Sequence, residues 1–269
     1  MALLQPSAFC LFFGVVSGRD MYPQVKANAE RGYALDPDSG ETCTVLGGVL
    51  ACFEYRWDEA DRLYERALQL QPGLASAHMF RAVSSLCRGN ILAAESGFRR
   101  AAELDPISAS GYARMAYLHY VKADYRSAAE HLKKCFHLDR AYPEARLYDG
   151  LLQFQQKDYD GVIRCLSSSP VPLDIGLMAA AHARKGSESR ARKCIEELNR
   201  LAGGQYVTPL AEAFAAIGIG DHDLAFHRLE EAIEHKTNFV NLVAVEPFFG
   251  ALRSDGRFSR LLKTLNLPH

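Results

Sequence analysis

The residues best suited to bind a metal ion stand on one predicted helix. His131 and Cys135 are four residues apart, which places an imidazole and a thiol on the same helix face. Cys135 also stands where the surrounding pattern requires a small buried residue, and this explains it without a metal. His222 and His227, near a predicted turn, form a weaker pair. We therefore predict no metal site and no cofactor.

Catalytic spacing is also missing from the sequence. We find no phosphate-binding loop, no H-E-x-x-H pair and no nucleophile elbow, so we predict that the chain is not an enzyme. The formal net charge is -1 and the isoelectric point is about 6.8. The basic runs Arg99-Arg100, Lys133-Lys134 and Arg190 to Lys193 each adjoin acidic residues, which is typical of solvated helix faces. Direct nucleic-acid binding is not expected.

The cysteines and the hydropathy of the chain indicate in which cellular compartment the protein is expected. The seven cysteines form no C-x-x-C pair, and their odd number leaves at least one unpaired. This pattern favours a reducing compartment, and we predict a cytoplasmic protein. No apolar run reaches the roughly 18 residues that span a bilayer, so no membrane insertion is expected. The segment Ala8 to Val16 is interpreted as the first helix of a repeat, with the core of a signal peptide as the alternative.

A fixed period organises most of the chain. Helical segments end alike at Pro37, Pro72, Pro106 and Arg140, which are spaced 35, 34 and 34 residues apart. Within each period a second helix is predicted to open with a large residue, followed three places later by a small one. Small residues let two helices approach closely, and large ones fill the space between neighbouring pairs. The small residues are Ala60, Ala67, Ala94, Ala101, Ala116 and Ala128, and the large ones are Trp57, Tyr64, Phe98 and Tyr125.

On these residues the chain resembles the tetratricopeptide repeat family. The resemblance implies an all-α fold, a right-handed superhelical solenoid of antiparallel helix pairs closed by a C-terminal capping helix. We divide the chain into a degenerate first repeat (1–40, with Phe12 and Phe13 in its first helix), four full units (41–171), two divergent units (172–237) and a capping segment (238–269). Gly89 is expected to adopt a positive φ in a turn.

Two details refine this assignment. Leu46-Gly47 matches the family's leucine-glycine pair but lies one residue too far from Ala60, and we place the extra residue in the turn near Glu54 to Arg56. The tail from Glu246 to Pro268 is predicted to form the capping helix over the last pair, with Phe258, Leu261, Leu262 and Leu265 inward. It is similar to the ending of repeat arrays in bacterial multidomain regulators, where the repeats accompany a winged-helix domain, a nucleotide cyclase or a protein kinase.

The resemblance also implies a binding surface, since the first helices of such repeats line a concave groove. Carried over by position, the predicted groove is apolar and aromatic, which favours an amphipathic helix or an apolar peptide as the partner. The alternative is that these side chains are covered in a tight superhelix or fill the core. The predicted groove residues are Met79, Val83, Leu86, Ala113, Tyr117, Tyr120, Leu147, Leu151, Phe154 and Phe214.

Two specialised modes of the family do not fit. The carboxylate clamp for acidic chaperone tails needs Lys, Asn and Arg at set positions, and only Arg114 matches. The asparagine ladder is missing as well. We therefore predict a non-catalytic scaffold that binds a protein or peptide segment. The alternative is the interaction domain of a bacterial transcriptional or signalling regulator whose effector domain is separate. Neither interpretation predicts the oligomeric state.

Overall fold

The computed structural model describes residues 16–268, so the predicted helix with Phe12 and Phe13 lies outside the described residues. Helices follow one another, and no β-strand occurs between residues 16 and 268. They are α1 (Gly18–Leu35), α2 (Gly40–Glu54), α3 (Trp57–Leu70), α4 (Ala75–Cys87), α5 (Ile91–Leu104), α6 (Ala109–Val121), α7 (Tyr125–Leu138), α8 (Pro143–Gln155), α9 (Tyr159–Leu166), α10 (Pro172–Arg184), α11 (Glu188–Ala202), α12 (Pro209–Ile219), α13 (His222–Glu234) and α14 (Gly256–Thr264). The predicted all-α architecture of packed helix pairs is confirmed.

Four of the turns inside a pair use the same two devices. One residue adopts a left-handed backbone: Gly89 at φ 75°, as predicted, with Ala123 and Lys157 in the same place of the next two pairs. The residue that follows caps the second helix, because a side-chain oxygen accepts a hydrogen bond from the first turn of that helix. Asn90 accepts from the Ala93 N–H at 3.2 Å, and Asp124, Asp158 and Asp221 do the same in their own pairs.

The predicted division into small and large residues holds inside the pairs. All six alanines are buried, and so are Trp57, Tyr64 and Phe98, whereas Tyr125 is only half-buried. Gly47 shows why a small residue is required, because a Cβ built there would lie 2.7 Å from the Tyr64 ring. Close approach of the helices therefore depends on these positions.

The first pair corrects one detail of the prediction. Gly47 faces Tyr64, so the leucine-glycine pair occupies its expected place in the middle of α2. The helix then continues to Glu54 and is 15 residues long, against 13 for α4, and only Tyr55 and Arg56 separate it from α3. The extra residue therefore lengthens the helix and not the turn. The end is closed by left-handed Tyr55, and the Arg56 N–H donates back to the Leu50 carbonyl at 3.1 Å.

The chain forms two compact units. The first unit contains residues Tyr22–Tyr148, Asn241–Val245 and 262–268, and it holds the pairs α2/α3, α4/α5 and α6/α7. The second unit contains residues 16–21, Asp149–Val240 and Glu246–Leu261, with the pairs α10/α11 and α12/α13. The boundary between the two units falls within α8.

The second unit packs α10 tightly against α12. A Cβ at Gly176 would lie 2.1 Å from the Ala211 carbonyl oxygen, and one at Gly218 would lie 2.2 Å from the Ala180 Cα. The two helices can approach this closely only because one residue of each contact is a glycine, which has no side chain. Helix α10 is buried on all sides from Pro172 to His182 as a result.

The C-terminal segment differs in part from the predicted cap. It contains two short 3-10 helices, Val240–Leu242 and Pro247–Leu252, before α14. Phe258, Leu261, Leu262 and Leu265 are buried, as the sequence predicted. At the start of α14, in the second unit, Arg257 bonds Asp223 at 2.7 Å on α13, the last repeat helix. Residues 262–268 belong instead to the first unit, so the segment is not confined to the last pair.

Candidate protein-binding surface

Most of the predicted groove residues lie inside the units. Seven of the ten are buried: Leu86, Ala113, Tyr117, Tyr120, Leu147, Leu151 and Phe214. Met79, Val83 and Phe154 are half-buried. Tyr117 illustrates the cause, because its ring lies between Tyr148 at 4.6 Å and Tyr120 at 5.7 Å between centroids, inside the layer of first helices. The alternative interpretation, in which these side chains are covered or fill the core, therefore describes this part of the first-helix face better than an open groove does.

In the second unit the chain covers its own first-helix face. The Phe248 ring lies 4.5 Å from the ring of Phe214 and 4.8 Å from that of Phe154, between centroids. Phe239 and Phe249 also pack edge-on against Phe214. Each fully buried aromatic side chain stabilises the fold by roughly 2 kcal/mol or more. A partner that displaced this segment would have to replace several such contacts, so Phe154 and Phe214 are not free to receive it.

In the first unit, Arg114 is engaged by a carboxylate of its own chain. Its guanidinium lies 2.9 Å from the Glu144 carboxylate and donates to the Tyr148 hydroxyl at 2.8 Å. The two charged side chains are only 17% and 14% exposed. Burial raises the pKa of the Glu144 carboxyl, and the charge of Arg114 opposes that rise. The one residue that matched a carboxylate clamp is therefore already paired with a carboxylate of the same chain, Glu144.

A small part of the first-helix face does stay accessible, on α4. Phe80 is 42% exposed, and Met79 and Val83 beside it are half-buried. Neighbouring first helices flank this row: a Cβ at Gly48 of α2 would lie 3.5 Å from the Phe80 ring, and the Ser110 hydroxyl of α6 lies 3.8 Å from the Met79 sulfur. We call the row of Met79, Phe80 and Val83 the α4 patch.

Phe80 was missed as a candidate, although the repeat contains the signal. Phe80, Arg114 and Tyr148 are 34 residues apart and hold the same place in successive first helices. Arg114 and Tyr148 bond each other at 2.8 Å, whereas Phe80 has no polar group and projects an apolar ring at the surface. A comparison of this position across repeats would have identified it.

Packing accounts for His131 and Cys135, the stronger of the two predicted metal-binding pairs. The His131 ring stacks on His119, with centroids 5.2 Å apart and planes at 15°, and Cys135 is fully buried. Within residues 16–268 no group of three or more His, Cys, Asp or Glu residues is arranged to hold a metal ion. The same part of the chain contains no helix with the length and apolar character needed to cross a bilayer.

Comparison with known proteins identifies the fold. No protein-family model matches the sequence, and no curated protein matches it. Among solved structures, a chain of the APC/C hetero-tetramer Cut9–Hcn1 is 16% identical with a TM-score of 0.63, over 96% of this chain and 48% of that one. This chain therefore spans about half the length of that neighbour.

A second solved structure is similar over its full length. It is a tetratricopeptide repeat protein from Parabacteroides merdae, 13% identical with a TM-score of 0.59, and 98% of each chain is covered. At such identities the likeness concerns the fold alone. Together with the 34-residue period and the packed helix pairs, it shows that this protein has the tetratricopeptide-repeat fold.

Proposed function

We propose that this chain is a non-catalytic scaffold that binds a protein segment on the first-helix face of its first unit, at the α4 patch. The observation that carries the proposal is the exposure of Phe80, which is 42% on a first-helix face where most of the predicted groove residues are buried. Exposed aromatic side chains next to a packed surface are typical anchors for a protein partner. The Cut9–Hcn1 hetero-tetramer supports it in a general way, as a case in which a chain of similar fold is part of an assembly.

The chemistry of the patch favours an apolar partner segment. Met79 offers a flexible, polarisable thioether, and Val83 and Phe80 add apolar area on the same helix face. A partner that buries these side chains would be an amphipathic helix or an apolar peptide, as the sequence predicted. Recognition by a carboxylate clamp is not part of the proposal, because Arg114 is bonded to Glu144.

Peptide selection with matched variants tests this proposal. Peptides selected from a random phage-displayed library on the wild-type chain are measured against Phe80→Glu and against Leu92→Glu. Leu92 is 81% exposed on α5, so its variant makes the same kind of change away from the patch. We expect the Phe80 variant to bind at least about tenfold more weakly, because a buried charge replaces an aromatic anchor.

The control variant is expected to bind as the wild type does. Selected peptides that bind the Phe80 and Leu92 variants equally well would contradict a site at the α4 patch. Tyr117 is not a suitable probe, because it is 1% exposed and a charge there would unfold the chain.

The second candidate is the interaction domain of a bacterial transcriptional or signalling regulator. Its support is the resemblance of the tail that contains Glu246, Phe248 and Phe249 to the ending of repeat arrays in such regulators. A neighbouring reading frame for a winged-helix, cyclase or kinase domain, whose product co-purifies with this chain, is the expected finding. A co-expressed effector protein that does not bind the chain would count against this candidate.

A further inference from the structure

A second surface of the first unit carries a local excess of basic side chains. Lys133 and Lys134 lie near the end of α7, and Arg140 follows that helix. None of the three forms an ion pair with a residue of the described chain. Other cations nearby are paired: Lys122 contacts Glu95 at 2.7 Å, for example. The chain as a whole has a net charge of only -1, so the positive potential here is local.

These cations surround a depression of about 850 Å³, which we call the Lys134 depression. Its apolar part includes Leu138, which is 43% exposed, and the half-buried ring of Phe136. The Lys134 ammonium lies 5.8 Å from the centroid of the Tyr112 ring. Pro106, Glu130 and His137 complete the lining. The depression thus combines apolar side chains with a cationic rim.

The one carboxylate in the lining does not neutralise that rim. Glu130 is 3.4 Å from the Arg126 guanidinium, its ion-pair partner one helical turn earlier on α7. The helix dipole favours cations at the end of α7, which explains why lysines are tolerated there. Leu138 and Phe136 stay partly exposed beside these lysines, and a partner that covered them would gain free energy from burying their apolar area.

We propose that the Lys134 depression binds an acidic protein segment that carries an aromatic anchor side chain. The anchor would bury the apolar area of Leu138 and Phe136, and flanking carboxylates would pair with Lys133, Lys134 and Arg140. Complementary charge would steer the segment and select its sequence, while the buried anchor would hold it. This site is separate from the α4 patch and does not depend on it, so the scaffold would hold two segments of different chemistry.

Fluorescence anisotropy with a labelled peptide tests the proposal. The probe is Asp-Glu-Asp-Phe-Asp-Glu-Asp, with an all-lysine counterpart and a version with Gly in place of Phe. The double variant Lys133→Glu/Lys134→Glu is compared with Arg190→Glu/Lys193→Glu, which makes the same charge change at two exposed residues of α11. We expect the first variant to bind the acidic probe at least tenfold more weakly, and the second to bind it like the wild type.

The remaining measurements distinguish binding at this site from nonspecific attraction between opposite charges. The Gly version of the probe is expected to bind several-fold more weakly, and Leu138→Ser to weaken the Phe probe but not the Gly probe. Binding should also weaken as salt is raised, because the rim is exposed. Equal binding by the two double variants, or no binding of the acidic probe to the wild type, would overturn the proposal. Phe80→Glu should leave this binding unchanged, which distinguishes a failure here from a failure at the α4 patch.

Discussion

At the scale of single residues, one repeat position shows how the same place in the fold takes on different roles. Phe80, Arg114 and Tyr148 are equivalent in successive first helices. Arg114 and Tyr148 bond each other, and Glu144 completes that buried polar group. Phe80 has no such partner and stays 42% exposed. The local chemistry of the side chain therefore decides which part of a repeated surface is available to a partner.

A second residue, His131, makes stability depend on pH. Its Nδ1 atom is buried without a hydrogen-bond partner in the described part of the chain. Burial lowers the pKa of His131 from its usual 6.5, the charges of His119 and Lys134 lower it further, and those of Glu130 and Asp124 oppose this. The unfolded chain therefore binds a proton at a pH at which the folded chain does not. Above pH 6.5, the usual pKa of histidine, the folded chain keeps the full stability associated with neutral His131. That stability is lost as the pH falls below 6.5 toward the lower pKa of His131 in the folded chain.

The test is urea denaturation of the wild type and His131→Gln between about pH 7.5 and 5. We expect the free energy of unfolding of the wild type to fall more steeply with decreasing pH than that of the variant. His182, whose pKa is also lowered by burial, contributes to both curves and cancels in the difference. Parallel curves for the two proteins would show that His131 is not responsible.

At the scale of helices, the contact of α10 with α12 depends on glycine. Gly176→Ala would place a methyl group 2.1 Å from the Ala211 carbonyl oxygen, and that oxygen is backbone and cannot rotate away. We expect a loss of about 1–3 kcal/mol in the free energy of unfolding, typical of overpacking in a filled interior. Gly250→Ala is the control, because nothing lies within 4 Å of a Cβ there. Chemical denaturation that shows equal stability for the two variants would contradict the close approach.

The helix ends were easier to anticipate than the helix faces. Proline after α3 and α5, glycine at Gly89 and capping residues such as Asn90 and Asp124 act within a few residues of themselves. The extra residue of the first pair was misplaced for the opposite reason. Both a longer helix and a longer turn satisfy the local pattern there, and the choice depends on how Tyr55 and Arg56 close the end of α2.

At the scale of the whole chain, the C-terminal residues complete an interior far from them in sequence. In the first unit the Trp57 indole N–H donates to the Leu265 carbonyl at 2.8 Å, and Leu262, Leu265 and Leu267 are buried. Trp57 is the single tryptophan of the chain, so tryptophan fluorescence reports on the surroundings of this one indole.

Removal of residues 262–269 should therefore shift the Trp57 emission to longer wavelength and lower the melting temperature. The indole would lose its hydrogen-bond acceptor and gain contact with water, and three buried leucines would be lost. Pro268→Ala, at an exposed position, serves as the control and should leave both properties unchanged. An unshifted emission maximum in the shortened chain would refute this role of the segment.

The sequence by itself determined the all-α class, the period of 34 residues, the turns and the alternation of small and large side chains. These features follow from interactions between residues near one another or one repeat apart, and the same residue types recur in each repeat. The tertiary structure alone decided which first-helix residues a partner can reach. Phe248 covers Phe154 and Phe214 through contacts between distant, non-repeated segments. Periodicity predicts which side chains share a face, and only packing determines whether the rest of the chain lies on top of it.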